Sequence, residues 1–234
     1  MSKITKTKIT RDELFNLLKG KNNFGVELGV ALGNYSKVAL DTNKFKLFIG
    51  IDSYDLGQYG LKQYKEALMK TNVSNNKYKI LKMKFEDALD LFEDESLDFI
   101  YFDGFAHNGQ LGGKTIVNWY NKVRIGGMIA GDDYDDQWPL VKDVVNDISI
   151  QLNQKINVTT INKKDNYSEF ASWYFFKNNK KELIINHEIY SKSVTRDKLE
   201  WLIFIFNSIK VNIIKLLKII LPNKIIRYLK KLRI

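Results

Sequence analysis

The sequence predicts an α/β fold of the Rossmann-like, doubly wound type, with a mostly parallel sheet whose last strand is reversed. Short apolar runs alternate with helix-like segments from about residue 23 to residue 152, which is typical of βαβ units. Two β-rich stretches then follow, 157–161 and 171–177, and a connection this short makes them antiparallel neighbours. A basic amphipathic helical tail completes the chain. We therefore expect three parts: an N-terminal packing helix over 1–22, a catalytic domain over 23–180 and the tail over 181–234.

The first element is expected to be a short packing helix. Thr10 and Glu13 have the spacing of a capping box, in which each side chain can satisfy a free amide of the first helical turn. Apolar residues follow at helical spacing, and Gly20 is a plausible stop. The segment before it, 1–8, is polar and basic without an apolar core, so we do not expect it to be a secretory signal.

The stretch from Phe24 to Ser36 joins a strand-like run to a helix start through two glycines. Gly29 permits a sharp backbone turn, and Gly33 permits close approach of the following helix. Glu27 lies inside this motif, where a carboxylate at a strand end suits a cationic amino group. We expect the motif, including Ser36, to bind a cofactor.

A second apolar run, 46–51, ends at Asp52, where the second strand of a βαβ unit should end. A carboxylate at that place can accept hydrogen bonds from both hydroxyls of a ribose. A ligand with both an adenosine and an amine is therefore indicated, and S-adenosylmethionine is the obvious candidate. On the glycines alone, tight helix packing without a ligand would be an equally good reading.

The later elements follow from the same patterns. Pro139 fits the first turn of a helix, and the apolar run before Asp103 reads as a strand buried on both faces. The other expected elements are helices over 59–71 and 110–123 and strands over 78–85 and 126–133.

The composition and the distribution of charge exclude several kinds of site. The chain of 234 residues has no cysteine, which excludes a disulfide, a thiolate nucleophile and a thiolate metal site. The formal net charge is +10, but residues 191–234 contain eleven Lys or Arg and only two acidic residues. The rest of the chain is thus nearly neutral, which argues against a nucleic-acid footprint on the catalytic face. The expected location is the cytoplasm.

With these residues in place, the chain resembles class I S-adenosylmethionine-dependent methyltransferases from about residue 22 to residue 177. The pieces FIYFDGFAH, NWYNKVRIGGMIAGDDY and FASWYFFK are similar to metal-dependent O-methyltransferases that act on sugars and antibiotics, such as macrocin O-methyltransferase. The resemblance implies a magnesium ion on Asp103, Asp132 and Asp133. Three carboxylates at neighbouring strand ends would also repel one another without a cation, and Mg²⁺ prefers such oxygen ligands. The alternative is that Asp132 and Asp133 only cap the turn before Pro139.

His107 is the candidate general base, because it lies four residues after Asp103 in a loop that should border the acceptor. The related enzymes place this histidine three residues after the aspartate, so the match is imperfect. Together with Asp103 it forms the predicted catalytic pair, and Asp103 is also expected to contact the cofactor. A solvated loop histidine is the alternative.

The tail is apolar all round over 201–206 and amphipathic from Asn207 to Leu221, where Pro222 breaks it, and residues 223–234 repeat the pattern. Its apolar run is too short to span a bilayer. An apolar face flanked by lysines suits an anionic membrane surface or a membrane-bound partner, and docking on its own domain or on a second subunit is the alternative.

The leading hypothesis is therefore a magnesium-dependent O-methyltransferase acting on a hydroxyl of a sugar, sugar nucleotide or glycan intermediate at the cytoplasmic membrane face. A membrane-peripheral scaffold that keeps the fold without turnover is a second hypothesis. A nucleic-acid methyltransferase is a third, disfavoured because the chain has no Asn/Asp-Pro-Pro-Tyr-like motif. Neither the methyl acceptor nor the oligomeric state follows from the sequence.

Overall fold

The computed structural model describes residues 2–72, 75–161 and 169–220, and its centre is a sheet of eight strands within these ranges. The strands are β1 Lys3–Lys6, β2 Asn23–Leu28, β3 Phe45–Asp52, β4 Tyr78–Lys82, β5 Leu97–Phe102, β6 Val123–Gly131, β7 Lys155–Val158 and β8 Trp173–Phe176. Their spatial order is β1-β7-β8-β6-β5-β2-β3-β4. β8 runs antiparallel to β6 and β7, and the other paired strands are parallel. The predicted fold class, with its reversed last strand, is confirmed.

Helices cover both faces of this sheet. The helices of the described residues are α1 Asn34–Asp41, α2 Gly57–Thr71, α3 Gly109–Gly112, α4 Lys114–Tyr120, α5 Pro139–Leu152 and α6 His187–Ile220, with 3-10 helices at Asp12–Leu17, Leu89–Leu91 and Ala106–Asn108. Helices α4 and α5 lie on one face, and α1 lies with the N-terminal 3-10 helix on the other. Pro139 is in the first turn of α5, as expected. Strands β2, β3, β4 and β5 lie where the sequence predicted them, to within a few residues at their ends.

Alternate residues of the central strands supply two separate cores. In β5, Ile100 and Phe102 pack with residues of α4 and α5, whereas Phe99 and Tyr101 pack with the N-terminal 3-10 helix and α1. Because successive side chains of a strand point to opposite faces, a strand covered on both sides must be apolar throughout. This requirement explains the uninterrupted apolar run before Asp103.

The N-terminal segment differs from its prediction. Lys3–Lys6 forms β1 at the sheet edge, paired in parallel with β7, and the expected α-helix is a 3-10 helix over Asp12–Leu17. The carboxylate of Glu13 accepts hydrogen bonds from the backbone amide (2.7 Å) and the hydroxyl (3.0 Å) of Thr10, which is half of the predicted capping box. An edge strand of four residues has too little alternation to be recognised in a sequence.

The helix predicted over 110–123 is interrupted. Gln110 and Leu111 have left-handed backbone angles, with φ of 51° and 55°, and Gly112 and Gly113 follow with positive φ as well. The short element α3 therefore consists of residues with positive φ, and the right-handed helix α4 begins only at Lys114, because the left-handed region disfavours helix propagation for L-residues.

The chain divides into a compact unit, Met1–Ser193, and a second unit, Val194–Ile234. The N-terminal segment thus belongs to the same compact unit as the sheet. In the second unit α6 continues to Ile220, while the predicted break at Pro222 and the repeat over 223–234 lie outside the described residues. None of the helices that the structure describes combines the length and the apolar character needed to cross a bilayer.

Candidate active site

Two adjoining cavities lie at the carboxyl ends of the central parallel strands. The first has a volume of about 500 Å³, and its lining includes Asp52, Tyr54, Lys84, Phe85, Glu86 and Phe105. The second has about 460 Å³, and its lining includes Arg11, Glu27, Tyr35, Asp132, Asp133 and Glu169. Both cavities are lined by Gly29, Ala31, Gln63 and Asp103. In open α/β sheets this edge is where ligands bind.

Gly29 lets the loop after β2 lie directly against the end of β5. Its φ is +96°, and a Cβ at this position would lie 2.1 Å from the backbone oxygen of Asp103. No side chain fits there, so the glycine is required for the junction of the two cavities. Gly33 begins α1 with a φ of +73°, and a Cβ there would lie 3.1 Å from the Cα of Ala67 in α2. This glycine therefore serves the close packing of α1 on α2.

Asp52 lies at the end of β3 and holds the glycine loop in place. One carboxylate oxygen accepts hydrogen bonds from the backbone amides of Val30 and Ala31, each at 3.0 Å, and the other accepts one from the amide of Tyr54 at 2.9 Å. The same carboxylate lines the first cavity. A carboxylate has about four acceptor sites and three are used here, so Oδ1 of Asp52 can still accept a hydrogen bond from a ligand hydroxyl.

Glu27 is a buried carboxyl group whose end lines the second cavity. It accepts a hydrogen bond from the Ser36 hydroxyl, and that hydroxyl lies 2.6 Å from the Tyr78 hydroxyl. Burial raises the pKa of Glu27 to about 8, against the lowering effect of the Ser36 hydrogen bond. The buried Ser36 thus orients Glu27. The structure places Ser36 behind the cavity lining and not in it.

The first cavity also has an aromatic wall. The rings of Phe85 and Phe105 meet edge to face with centroids 5.4 Å apart, and a Cβ on Gly104 would lie 3.0 Å from the Phe85 ring. Aromatic and apolar surface of this kind suits a planar base.

Arg11 lies between the ends of β5 and β6 and joins two of the predicted metal ligands. One guanidinium nitrogen is 2.6 Å from a carboxylate oxygen of Asp103, and another is 2.5 Å from one of Asp132. The guanidinium carbon lies 4.3 Å from the centroid of the Tyr35 ring and 5.0 Å from that of Tyr101. Burial by itself would lower the pKa of Arg11, but the Asp132 and Asp103 carboxylates keep it well above its ordinary value. The side chain is therefore a fixed buried cation.

The predicted magnesium site on Asp103, Asp132 and Asp133 does not assemble in this arrangement. Across the described ranges, no group of three His, Cys, Asp or Glu side chains is placed to hold a metal ion. Both oxygens of Asp132 accept hydrogen bonds from the protein: one from Arg11 and the other from the Ser172 hydroxyl at 3.0 Å. A divalent ion would have to displace the guanidinium, so these residues do not fit one.

Asp133 differs from its neighbour. It has a φ of +66° and lines the second cavity without being fully buried. Burial, together with the Asp132 and Asp103 charges, raises the pKa of Asp133 to about 8. Burial also raises the pKa of Asp103, to about 6, although Arg11 opposes the shift. Asp133 is therefore a carboxyl group that can exchange a proton near neutral pH.

His107 is not brought to either cavity. It lies half-buried in the 3-10 helix Ala106–Asn108, with its ring centroid 6.4 Å from that of Phe105. Neither cavity has His107 in its lining. The structure thus gives this histidine no contact with the place where an acceptor would lie, and its role as a base stays a prediction.

Sequence reasoning missed Arg11. It lies inside the Thr10–Glu13 segment, which the sequence marked only as a helix cap. Its partners lie 92 and 121 residues further along the chain. One signal was present: the acidic residues after β5 and β6 require a cation, and an arginine next to a predicted packing helix is one source of it.

The comparisons with known proteins agree with this architecture. A family model described as a methyltransferase domain matches residues 26–134. No curated protein matches the sequence. Among solved structures, a protein of Corynebacterium glutamicum is similar with a TM-score of 0.50 and 13% identity, over 72% of this chain and 79% of that one. The cofactor-bound Rv0187 from MTB has a TM-score of 0.50 and 12% identity, over 72% and 80%. The spermidine synthase of Thermotoga maritima has a TM-score of 0.52 and 12% identity, over 79% and 68%.

Proposed function

We propose that the chain is a class I S-adenosylmethionine-dependent methyltransferase and that it methylates a hydroxyl of a sugar, sugar nucleotide or glycan intermediate, a proposal supported by the methyltransferase-domain model over residues 26–134 and by the fold. The observation that carries this proposal is the meeting of two cavities at Gly29 and Asp103. One cavity has the aromatic wall and ribose-type carboxylate that an adenosine needs. The other cavity has ionisable groups that can accept the proton of an acceptor hydroxyl. A methyl group at their junction would face both.

The residues of the first cavity fit the cofactor. We assign Asp52 to the ribose hydroxyls and the Phe85 and Phe105 rings to the base. Glu27 faces the second cavity beside the junction, where its carboxylate would hold the cofactor's ammonium group. An ammonium partner stabilises the ionised form of Glu27, which burial otherwise disfavours.

When bound, the cofactor supplies an electrophilic methyl group on a sulfonium sulfur. The protein's part is to hold the acceptor oxygen in line with that methyl and to take the hydroxyl proton as the new C–O bond forms. Asp133 is placed for the proton because it lines the acceptor cavity and has a pKa of about 8. The buried positive charge of Arg11 lines the same cavity and would stabilise negative charge that develops there.

Magnesium dependence, which the family resemblance implies, is not part of this proposal. The guanidinium of Arg11 already pairs with both of the carboxylates, Asp103 and Asp132, that the ion would need.

Methyl transfer itself tests the proposal. Labelled S-adenosylmethionine is incubated with pools of sugar nucleotides and glycan intermediates, with and without a chelator. We expect label in a hydroxyl-bearing product in both arms. Asp133→Asn should lower the rate by about a hundredfold, and His107→Ala should leave it nearly unchanged. The opposite pattern would return the role of base to His107, and no labelled product from any pool would contradict a glycan acceptor.

An amine acceptor is the second candidate, and the acidic lining of the second cavity favours it. Among the described residues, the charged groups of this lining are the carboxyl groups of Glu27, Asp103, Asp132, Asp133 and Glu169 and the guanidinium of Arg11. Such a lining attracts a cationic group. One enzyme of similar fold is a spermidine synthase. A parallel incubation with a pool of amines separates the candidates, because the product would carry the label on nitrogen.

For its location we propose the surface of an anionic membrane. Trp201, Phe204 and Phe206 of α6 are between 62% and 71% exposed, and further exposed apolar residues of this helix are Leu199, Leu202, Ile203, Ile209 and Ile213. Residues 191–234 also hold most of the chain's net positive charge. Exposed aromatic side chains together with basic residues match a headgroup region in both polarity and charge.

A further inference from the structure

Arg11 is held more firmly than a surface ion pair. The polar chain that surrounds it begins at the Tyr101 hydroxyl, which lies 2.7 Å from the Ser172 hydroxyl, and continues from Ser172 to Asp132. Arg11 itself is 5% exposed. Its guanidinium therefore has fixed partners at the ends of two different strands, because its forked donors can each reach a different carboxylate.

The segment that carries Arg11 is fixed to the same domain. The amide of Thr7 donates to the backbone oxygen of Val158 at 2.8 Å, and the amide of Thr160 donates to that of Ile9 at 2.8 Å. On the other side of Arg11, Leu14 and Phe15 are fully buried in the core that contains Tyr35 and Tyr101. The backbone on both sides of Arg11 is thus held in place, so the guanidinium has a fixed position between Asp103 and Asp132.

We propose that Arg11 is the resident cation of this active site and takes the place that a divalent metal ion would occupy between Asp103 and Asp132. The methyl transfer then needs no metal, and the positive charge facing the acceptor comes from the N-terminal segment. That segment lies outside residues 26–134, which the methyltransferase family model matches. Only the catalytic part of this inference rests on the proposed function.

A specific consequence is a metal site that appears when Arg11 is removed. Without the guanidinium, Asp103 and Asp132 would be two carboxylates with no cation between them, and Asp133 lines the same cavity. Buried charges without a partner are strongly unfavourable, and a hard divalent ion with oxygen preference would relieve the repulsion. Truncating Arg11 should therefore convert a filled site into one that binds metal.

Binding of Mn²⁺, measured by electron paramagnetic resonance of the free ion and by calorimetry, tests this directly on the full chain. We expect no saturable site in the wild type and one in Arg11→Ala. Arg11→Ala with Asp132→Asn should bind Mn²⁺ about tenfold more weakly or not at all. Arg124→Ala is the matched control, because it breaks an exposed Arg–Asp pair, with Asp98, and should gain no site.

A saturable Mn²⁺ site in the wild type that Asp132→Asn abolishes would overturn the proposal, as would an Arg11→Ala protein that is folded and binds no Mn²⁺. If Arg11→Ala does not fold, Arg11→Met replaces it. A saturable Mn²⁺ site in the wild type would overturn the proposal in either case. Activity gives a separate reading: once an acceptor is known, a chelator should leave the wild-type rate unchanged. Failure to find an acceptor would affect the proposed function and leave the metal-binding result intact.

Discussion

At the scale of the residue, the buried carboxyl group of Glu27 lowers the stability of the ligand-free protein, although it is the group assigned to the cofactor's ammonium. Burial holds the pKa of Glu27 at about 8, above its ordinary value of 4.5. The folded chain therefore keeps a proton on Glu27 over a range of pH in which the unfolded chain has lost it. The free energy of unfolding attributable to this group falls as the pH rises from about 4.5 to about 8. A bound ammonium group would offset this loss by pairing with the carboxylate.

Glu27→Gln should consequently stabilise the ligand-free protein. The gain should be small near pH 5 and should reach roughly 1–3 kcal/mol near pH 8, because glutamine has no proton to lose. Urea unfolding at the two pH values measures it. Asp90→Asn, which changes an exposed carboxylate, should show no such dependence on pH. A Glu27→Gln protein that is less stable than the wild type at the higher pH would contradict the assigned burial cost.

At the scale of the element, the loop between β2 and α1 is shaped by contact with β5. Gly29→Ala should disrupt this contact, because its Cβ would lie 2.1 Å from a backbone oxygen that cannot move independently of the strand. Gly20→Ala is the matched control: Gly20 also has a positive φ, of +70°, but nothing lies within 4 Å of the added Cβ. Gly20→Ala should cost about 1 kcal/mol for the left-handed backbone, and Gly29→Ala should cost clearly more and also weaken S-adenosylhomocysteine binding. Equal effects in thermal unfolding and calorimetry would contradict the account of this loop.

The N-terminal 3-10 helix is an integral part of the core. Phe15 is fully buried, and its ring lies between 4.8 and 6.4 Å, centroid to centroid, from the rings of Tyr35, Phe45, Phe48 and Phe99. Phe15→Ala should lower the free energy of unfolding by about 3–5 kcal/mol, as measured by urea titration. Ile125→Ala, at a side chain that is 44% exposed, should change it by less than about 0.5 kcal/mol. A mild effect of Phe15→Ala would mean that the segment is not packed as described.

The elements that sequence could predict are those with a long local pattern. β3 and the position of Asp52 at its end follow from one apolar run, and α5 follows from Pro139 and its apolar face. Arg11 could not be assigned this way, because its role depends on partners that the sheet topology brings together. His107 is the opposite case, a residue that the sequence assigned to the site and that the structure does not bring there. Its spacing from Asp103 suggested a site, but the turn that carries it does not bring it to either cavity.

At the scale of the whole molecule, most of the net positive charge and the candidate active site lie in different parts of the chain. The cavities and all the assigned site residues belong to the unit Met1–Ser193, and the exposed aromatic residues of α6 belong to the unit Val194–Ile234. This separation predicts that the proposed membrane attachment can be removed without loss of the cofactor site.

Phe204→Asp should abolish flotation with liposomes that contain anionic lipid, because a charge on the apolar surface of the helix opposes insertion. Affinity for S-adenosylhomocysteine should be unchanged. Ile184→Asp is the control, since Ile184 is 70% exposed but lies in the other unit, and it should float like the wild type. If wild-type protein does not float, or if Phe204→Asp instead alters the oligomeric state, the helix docks on protein and the membrane proposal is wrong.

Calorimetric binding of S-adenosylhomocysteine tests whether the first cavity is the cofactor site, without any knowledge of the acceptor. We expect saturable binding to the wild type and a loss of about tenfold or more in Asp52→Ala, which removes the carboxylate assigned to the ribose. Asp90→Asn should bind like the wild type. Absence of binding to the wild type, or equal affinity in all three proteins, would contradict the cofactor site at the carboxyl ends of these strands.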